Sequence, residues 1–260
     1  MANDSSIPEF SGFSEAQWEQ VALEALATNE WQPMHGRDIA PGSGERQSWD
    51  DPVSPGRVLK AMVRLNPTVP TEYLQQALAD ILTPKSQDAI TENYRVHEFL
   101  VKGYRGVSYV DADGTEQNPT IHLLADRAGD NEFLAVNQVT VRHKDHERRF
   151  DVVLYVNGLP LAVIELKQAG AARADVAAAH AQLQTYLREL PMAFRFCALV
   201  VASDGLFAKY GTPFTPLHHF SPWNVEADGR PVELGHPEGD DYLGTGLELL
   251  IDGVCNIERF

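Results

Sequence analysis

Three residues invite a chemical reading first: Asp151, Glu165 and Lys167. Asp151 stands near the start of an apolar stretch, Phe150 to Val156, and Glu165 and Lys167 stand at the end of a second, Leu161 to Lys167. Burying a carboxylate or an ammonium without a partner is costly, so charges in such runs need a reason. One reason is a same-face ion pair on a solvated edge strand, because strand residues two apart share a face. The other is a metal site. Two carboxylates offer the hard oxygen ligands that Mg²⁺ takes, and the ion removes their mutual repulsion. A divalent ion held this way polarises a phosphoryl oxygen and lowers the pKa of a bound water. Lys167 would then orient that water or balance charge in the transition state.

The elements that must position these residues are two strands and a turn. Asn157-Gly158 lies between the two apolar runs, a strong hairpin signal. A regular two-residue hairpin would set Val156 opposite Leu159 and Asp151 opposite Ile164, turning Glu165 to the wrong face. A metal site needs Asp151 opposite Glu165. That register predicts a longer loop or a bulge, with Tyr155 opposite Leu161 and Pro160 outside the paired strands because it cannot donate to a ladder.

The spacing Asp151-x13-Glu165-x-Lys167 resembles the PD-(D/E)xK nucleases. The longer run VNGLPLAVIELK is similar to the N-terminal nuclease domain of the restriction (R) subunit of type I restriction enzymes. Gln182 to Tyr186 supplies the QxxxY element of that family, and NEFLAVNQ (131–138) and NYRVHEFL (93–100) also resemble it. The likeness covers roughly residues 55–225. Phe150 departs from the family pattern, which expects Pro there, but that position is not a ligand. The resemblance implies an α/β, restriction-endonuclease-like fold with a central mixed sheet flanked by helices. It implies that Asp151, Glu165 and the carbonyl of Leu166 hold Mg²⁺, that Lys167 serves the attacking water, and that Gln182 and Tyr186 support the catalytic face. It also implies double-stranded DNA as substrate and methyltransferase (M) and specificity (S) subunits as partners. ATP would serve only a translocase region outside this sequence. Two other readings stay open: a docking module that kept the fold and lost cleavage, and a free-standing repair or recombination nuclease.

A chain of 260 residues with 43% hydrophobic content can bury a full core. No run approaches a membrane span and no charged-then-apolar signal peptide opens it, and with only two distant cysteines the cytoplasm is the default compartment. Cys197 and Cys255 make neither a disulfide framework nor a zinc site, and Cys197 in FCALVV reads as a core residue. The net charge of −16 argues against autonomous capture of DNA, because phosphate affinity comes from Lys and Arg. No G-x-x-x-x-G-K-[ST] occurs, so the chain holds no P-loop.

Residues 1–13 read as polar and loose. Ser14 to Gln17 fits a capping box before a helix with Trp18, Val21, Ala22, Ala25 and Leu26 at helical spacing. Glu19 lies on that helix, either as a solvated carboxylate or as an acid brought to the metal. Residues 32–56 read as a long loop. Helices follow over about 58–65, 74–82 and 88–102, the last ended by Gly103. Strands are expected at 107–110 and 121–124, at 133–141, at 194–202 and at 206–210. The run RHKDHERR (142–149) reads as a charged connection, and Arg142, Lys144, Arg148 and Arg149 are the candidates for holding DNA phosphates. After Lys167 a helix is expected to set Ala178, Ala181, Gln182, Thr185 and Tyr186 on one face, with small alanines against the sheet. The domain expectation is 1–55 packing on a core of 56–220, with 221–260 a linker toward the translocase region.

Overall fold

The computed structural model describes residues 13–168, 174–225, 229–231 and 245–260. The expectation for residues 1–13 falls almost wholly outside them, as does much of 226–244. Six helices are described: α1 (Glu15–Thr28), α2 (Pro55–Leu65), α3 (Thr71–Leu82), α4 (Ala89–Lys102), α5 (Ala174–Glu189) and α6 (Gly246–Val254). The strands are β1 (Gln32–His35), β2 (Tyr109–Val110), β3 (Glu116–Gln117), β4 (Phe133–His143), β5 (His146–Val156), β6 (Leu159–Leu166), β7 (Leu199–Ser203) and β8 (Ala208–Gly211).

The main sheet runs β1-β4-β5-β6-β7-β8, and β2-β3 form a separate hairpin. β1 is parallel to β4 and β6 to β7, while β4-β5, β5-β6 and β7-β8 are antiparallel, so the sheet is mixed. Each face is covered. Trp18, Leu26, Met62, Leu74 and Val96 join Val152, Leu154 and Ile164 in one core, and Leu247 and Leu250 of α6 complete it. Val176, Leu183 and Tyr186 of α5 pack with Phe150, Val153 and Val163 in the other. This is the α/β sheet flanked by helices that the resemblance implies, and it is consistent with a restriction-endonuclease-like architecture. Because β5 and β6 are buried on both faces, their sequences read as nearly unbroken apolar runs.

Local sequence sets the helix ends. Ser14 and Gln17 form the reciprocal capping box at α1, an interaction usually worth about 1 kcal/mol. Asp88 caps α4 by accepting from the Thr91 amide at 2.8 Å, and Gly103 ends it with φ +75°. At β5-β6 a tight turn and the register that the site needs are reconciled, which the sequence signals only half anticipate. Asn157 and Gly158 take φ +52° and +85°, the left-handed pair of a tight hairpin, so there is no longer loop. Val156 faces Leu159 and Tyr155 faces Pro160; then the register shifts, and Leu154 faces Ala162. Leu161 is thus the extra residue of a bulge, and its carbonyl accepts from the Ala198 amide at 2.7 Å. Pro160 sits inside the ladder beside this bulge, where a missing donor is tolerated. Below the bulge Val152 faces Ile164, which carries Asp151 opposite Glu165.

Other expectations are corrected. Residues 32–35 are not loop but the edge strand β1, whose four residues are too short and polar to show a pattern. Of the strand expected at 107–110 only Tyr109–Val110 remains, as β2, paired with Glu116–Gln117 (β3), and 121–124 is not a strand, with Ile121 bridging Tyr104 alone. Residues 194–198 are turns before β7, despite the apolar Phe194, Phe196 and Cys197. Much of the charged run 142–149 belongs to β4 and β5, paired through Arg142↔Glu147 and His143↔His146. On α5 the buried face is Val176, Ala179, Leu183 and Tyr186, whereas Ala178 and Ala181 are exposed. Helix α6 packs against α1, and Trp31 donates its ring N–H to the Cys255 carbonyl at 2.7 Å.

Candidate active site

Asp151 and Glu165 are contributed by adjacent central strands and are 8% and 0% exposed. Asp151 Oδ2 accepts the Leu166 amide at 2.8 Å, so it is tied to the strand that carries its partner. Burial raises the Asp151 pKa to about 6, only partly offset by that hydrogen bond and by Lys167. Burial also drives the Glu165 pKa well up, and the charge of Asp151 adds to it. Glu165 Oε2 is fully buried and has no hydrogen-bond partner among the described residues.

Lys167 follows directly after β6 and points its ammonium back at this pair. Its Nζ donates to Glu165 Oε1 at 3.0 Å and to the Leu166 carbonyl at 2.8 Å, and lies 3.4 Å from Glu15 Oε1. Burial works against its charge, but Glu165, Asp151 and Glu15 outweigh it and the ammonium is held on. The pair is therefore not an ion pair on a solvated edge strand. β6 lies inside the sheet, and one oxygen of its carboxylate is left without a donor.

Helix α1 delivers two more acids one turn apart, on one face. Glu15 reaches Lys167. Glu19 is 8% exposed, accepts from Gln138 Nε2 at 2.5 Å and from Asn137 Nδ2 at 3.4 Å, and adds to the field that disfavours charge on Asp151. On α5, Gln182 donates to the Tyr186 hydroxyl. The Tyr186 ring lies 5.1 Å from that of Phe150, and burial followed by the charge of Glu165 raises its pKa. Phe150, the residue that departs from the expected pattern, is thus an aromatic wall under Tyr186. Glu15, Asn137 and Gln138 carry no mark in the sequence as strong as the three charges. Their usable signal is two amide residues interrupting the apolar run FLAVNQVTV.

The four basic candidates divide. Arg142 is bound to Glu147 at 2.6 Å and lies over the Trp49 ring, and Arg148 is bound to Glu189 at 2.7 Å. Lys144 and Arg149 are exposed and make no ion pair among the described residues.

Whether these residues suit a divalent ion can be judged from the donors. No group of three or more His, Cys, Asp or Glu side chains that could hold a metal occurs among the described residues. Mg²⁺, however, is commonly held by one or two carboxylates with water completing its shell. Two adjacent buried carboxylates, one with an orphaned oxygen, and the Leu166 carbonyl beside them fit that need. No helix among the described residues is long and apolar enough to cross a membrane.

The sequence model of the family described as type I restriction enzyme R protein N terminus matches residues 12–219. The type I restriction enzyme HindI endonuclease subunit of Haemophilus influenzae is 29% identical over 244 residues, covering 92% of this chain and 22% of that protein. A protein of Methanocaldococcus jannaschii, provisionally described as the type I restriction enzyme MjaIXP endonuclease subunit, is 26% identical over 257 residues, covering 93% and 24%. The type I restriction enzyme EcoprrI endonuclease subunit of Escherichia coli is 32% identical over 136 residues, 48% of this chain and 39% of that one. The chain therefore spans less than a quarter of the length of the first two relatives.

Proposed function

The chain belongs to the family of type I restriction enzyme R protein N-terminal domains, and from that premise we propose that it hydrolyses DNA phosphodiester bonds with a divalent metal. The observation that carries this reading is the Asp151–Glu165 pair, aligned across β5 and β6 with an unpartnered buried oxygen and an ammonium 3.0 Å away. Asp151, Glu165 and the Leu166 carbonyl would hold Mg²⁺. Bound there, the ion would supply Lewis acidity to a phosphoryl oxygen and acidify a water. Lys167, already tied to Glu165 and Leu166, orients the attacking water and offsets the charge that builds on the phosphorane. The Leu166 amide keeps Asp151 aimed along β6. Gln182 and Tyr186 line the catalytic face from α5, with Phe150 bracing the ring.

The finer assignment extends the resemblance to type I R subunits. In this reading residues 56–220 form the nuclease core and 1–55 pack on it. Residues 221–260 lead toward an ATP-driven translocase region, and the whole subunit works in the cytoplasm with M and S subunits on double-stranded DNA. Of the four basic candidates, Lys144 and Arg149 are free to meet phosphates.

A charge of −16, and the lack of a three-side-chain metal cluster among the described residues, favour one competing reading, a docking module that kept the fold without cleavage. Calorimetric titration of the chain with Mn²⁺ separates the two. Binding that disappears in Glu165→Ala supports hydrolysis; no binding by the unaltered chain supports the module.

A further inference from the structure

One irregularity of the sheet has no part in holding the ion directly. β4 pairs with β5 through Asn137↔Val152 and Val139↔Phe150, skipping Gln138 on one strand and Asp151 on the other. Gln138 has φ +57°, a left-handed conformation that a residue with a side chain adopts only at a cost. Residues held in such a conformation collect at functional sites. Here the side-chain amide donates to Glu19 Oε1 at 2.5 Å, while Asn137 approaches Oε2 at 3.4 Å. Both oxygens of a nearly buried carboxylate are thus held from β4.

We propose that Gln138 is a positioning residue whose left-handed backbone, at a gap in the β4-β5 ladder, holds the Glu19 carboxylate beside Asp151, where its charge strengthens the attraction of the Asp151–Glu165 pair for a divalent cation. The inference rests on the metal-dependent reading above. Neutral donors matter to it. An amide satisfies the carboxylate while leaving its full negative charge in place, whereas a lysine or arginine would cancel it. The register sets Gln138 opposite Asp151, between Asn137↔Val152 and Val139↔Phe150, so the carboxylate it holds is kept on the Asp151 side of the sheet. Groups that orient or bias a metal site from outside its ligands commonly change affinity by about 10–100-fold. A purely structural role predicts something else, because glycine adopts left-handed φ without strain and would serve the backbone better than glutamine.

The test is a Mn²⁺ titration by calorimetry on the 260-residue chain, with melting temperature measured in the absence of metal. Gln138→Gly is expected to melt at or above the parent temperature and to bind Mn²⁺ about tenfold more weakly. Adding Glu19→Gln to it should weaken binding no further than Glu19→Gln alone, since one acts through the other. If glycine loosens the fold, Gln138→Met, similar in length but without a donor, is expected to show the same weakening. Parent-like affinity in a folded Gln138 variant, with Glu165→Ala losing the metal, would overturn this inference and leave the metal site standing. Absence of Mn²⁺ binding by the parent chain would overturn both.

Discussion

Replacing Asp151 with Asn should make the metal-free chain more stable, although it removes a residue proposed to hold the ion. The Asp151 pKa of about 6 in the fold compares with an ordinary 3.8. A carboxyl raised in this way favours folding fully below its unfolded pKa, and the advantage is lost as pH rises through the folded value. The window thus runs from about pH 4 to somewhat above pH 6. At about 1.4 kcal/mol per pH unit between the two values, ionised Asp151 costs up to about 3 kcal/mol at about pH 8. Asn keeps an oxygen for the Leu166 amide, now accepted by Asp151 at 2.8 Å, so the hydrogen bond survives while the charge does not. The expected gain corresponds to roughly 5–10 °C in melting temperature. Urea unfolding across about pH 4.5–8 without metal is the assay. The parent chain should lose stability over that range more steeply than the variant. Glu165, whose pKa burial also raises, keeps a residual slope in both. Divalent metal should reverse the order, adding about 4.1 kcal/mol to the parent at about one thousand times the dissociation constant and little to the variant. A variant less stable than the parent at the alkaline end, with an unchanged pH profile, would refute this reasoning.

Gly158→Ala should cost about 1–3 kcal/mol in urea unfolding, because φ is +85° and a Cβ would lie 2.7 Å from the Ser54 carbonyl. An unchanged midpoint would show that the hairpin is not held as described. Tyr186→Phe keeps the ring against Phe150 but removes the hydroxyl that Gln182 bonds. It should leave melting temperature nearly unchanged and lower DNA cleavage by the complete enzyme, with ATP hydrolysis intact; equal loss of both activities together with stability would mark Tyr186 as a core aromatic only. Lys144→Ala with Arg149→Ala should lower the slope of DNA affinity against salt by roughly 0.9 for each phosphate that is no longer neutralised. Arg142→Ala should not, because that guanidinium is already bound to Glu147.

The candidate site residues are legible in the sequence because their chemistry contradicts their surroundings: Asp151, Glu165 and Lys167 are charges in or beside apolar strands. Their alignment is legible only as a conflict between the Asn-Gly turn and the need for Asp151 to face Glu165. The fold resolves it with both a tight turn and an extra residue, Leu161, and no residue-level pattern says where a bulge falls. Glu19 is recognisable as an acid on a helix, but its burial depends on amides donated from β4. Gln138 gives no sign of its role, since a left-handed φ in a non-glycine residue has no sequence signature. β1 escapes a pattern search because Gln32–His35 carries Pro33 and no alternation, and its pairing with β4 is a tertiary choice. The turns at 194–198 resemble strand because a buried apolar run looks alike in either conformation.

The central claim is that Asp151, Glu165 and Lys167 perform hydrolysis while DNA is brought to them by the rest of a larger enzyme. Its most direct test is DNA cleavage by the full-length subunit assembled with its partners, carrying Glu165→Gln, with ATP hydrolysis followed in the same reaction. The expected result is loss of double-strand cleavage at unchanged ATP hydrolysis and a melting temperature no lower than the parent's. Cleavage at the parent rate by a correctly folded Glu165→Gln enzyme would contradict the account.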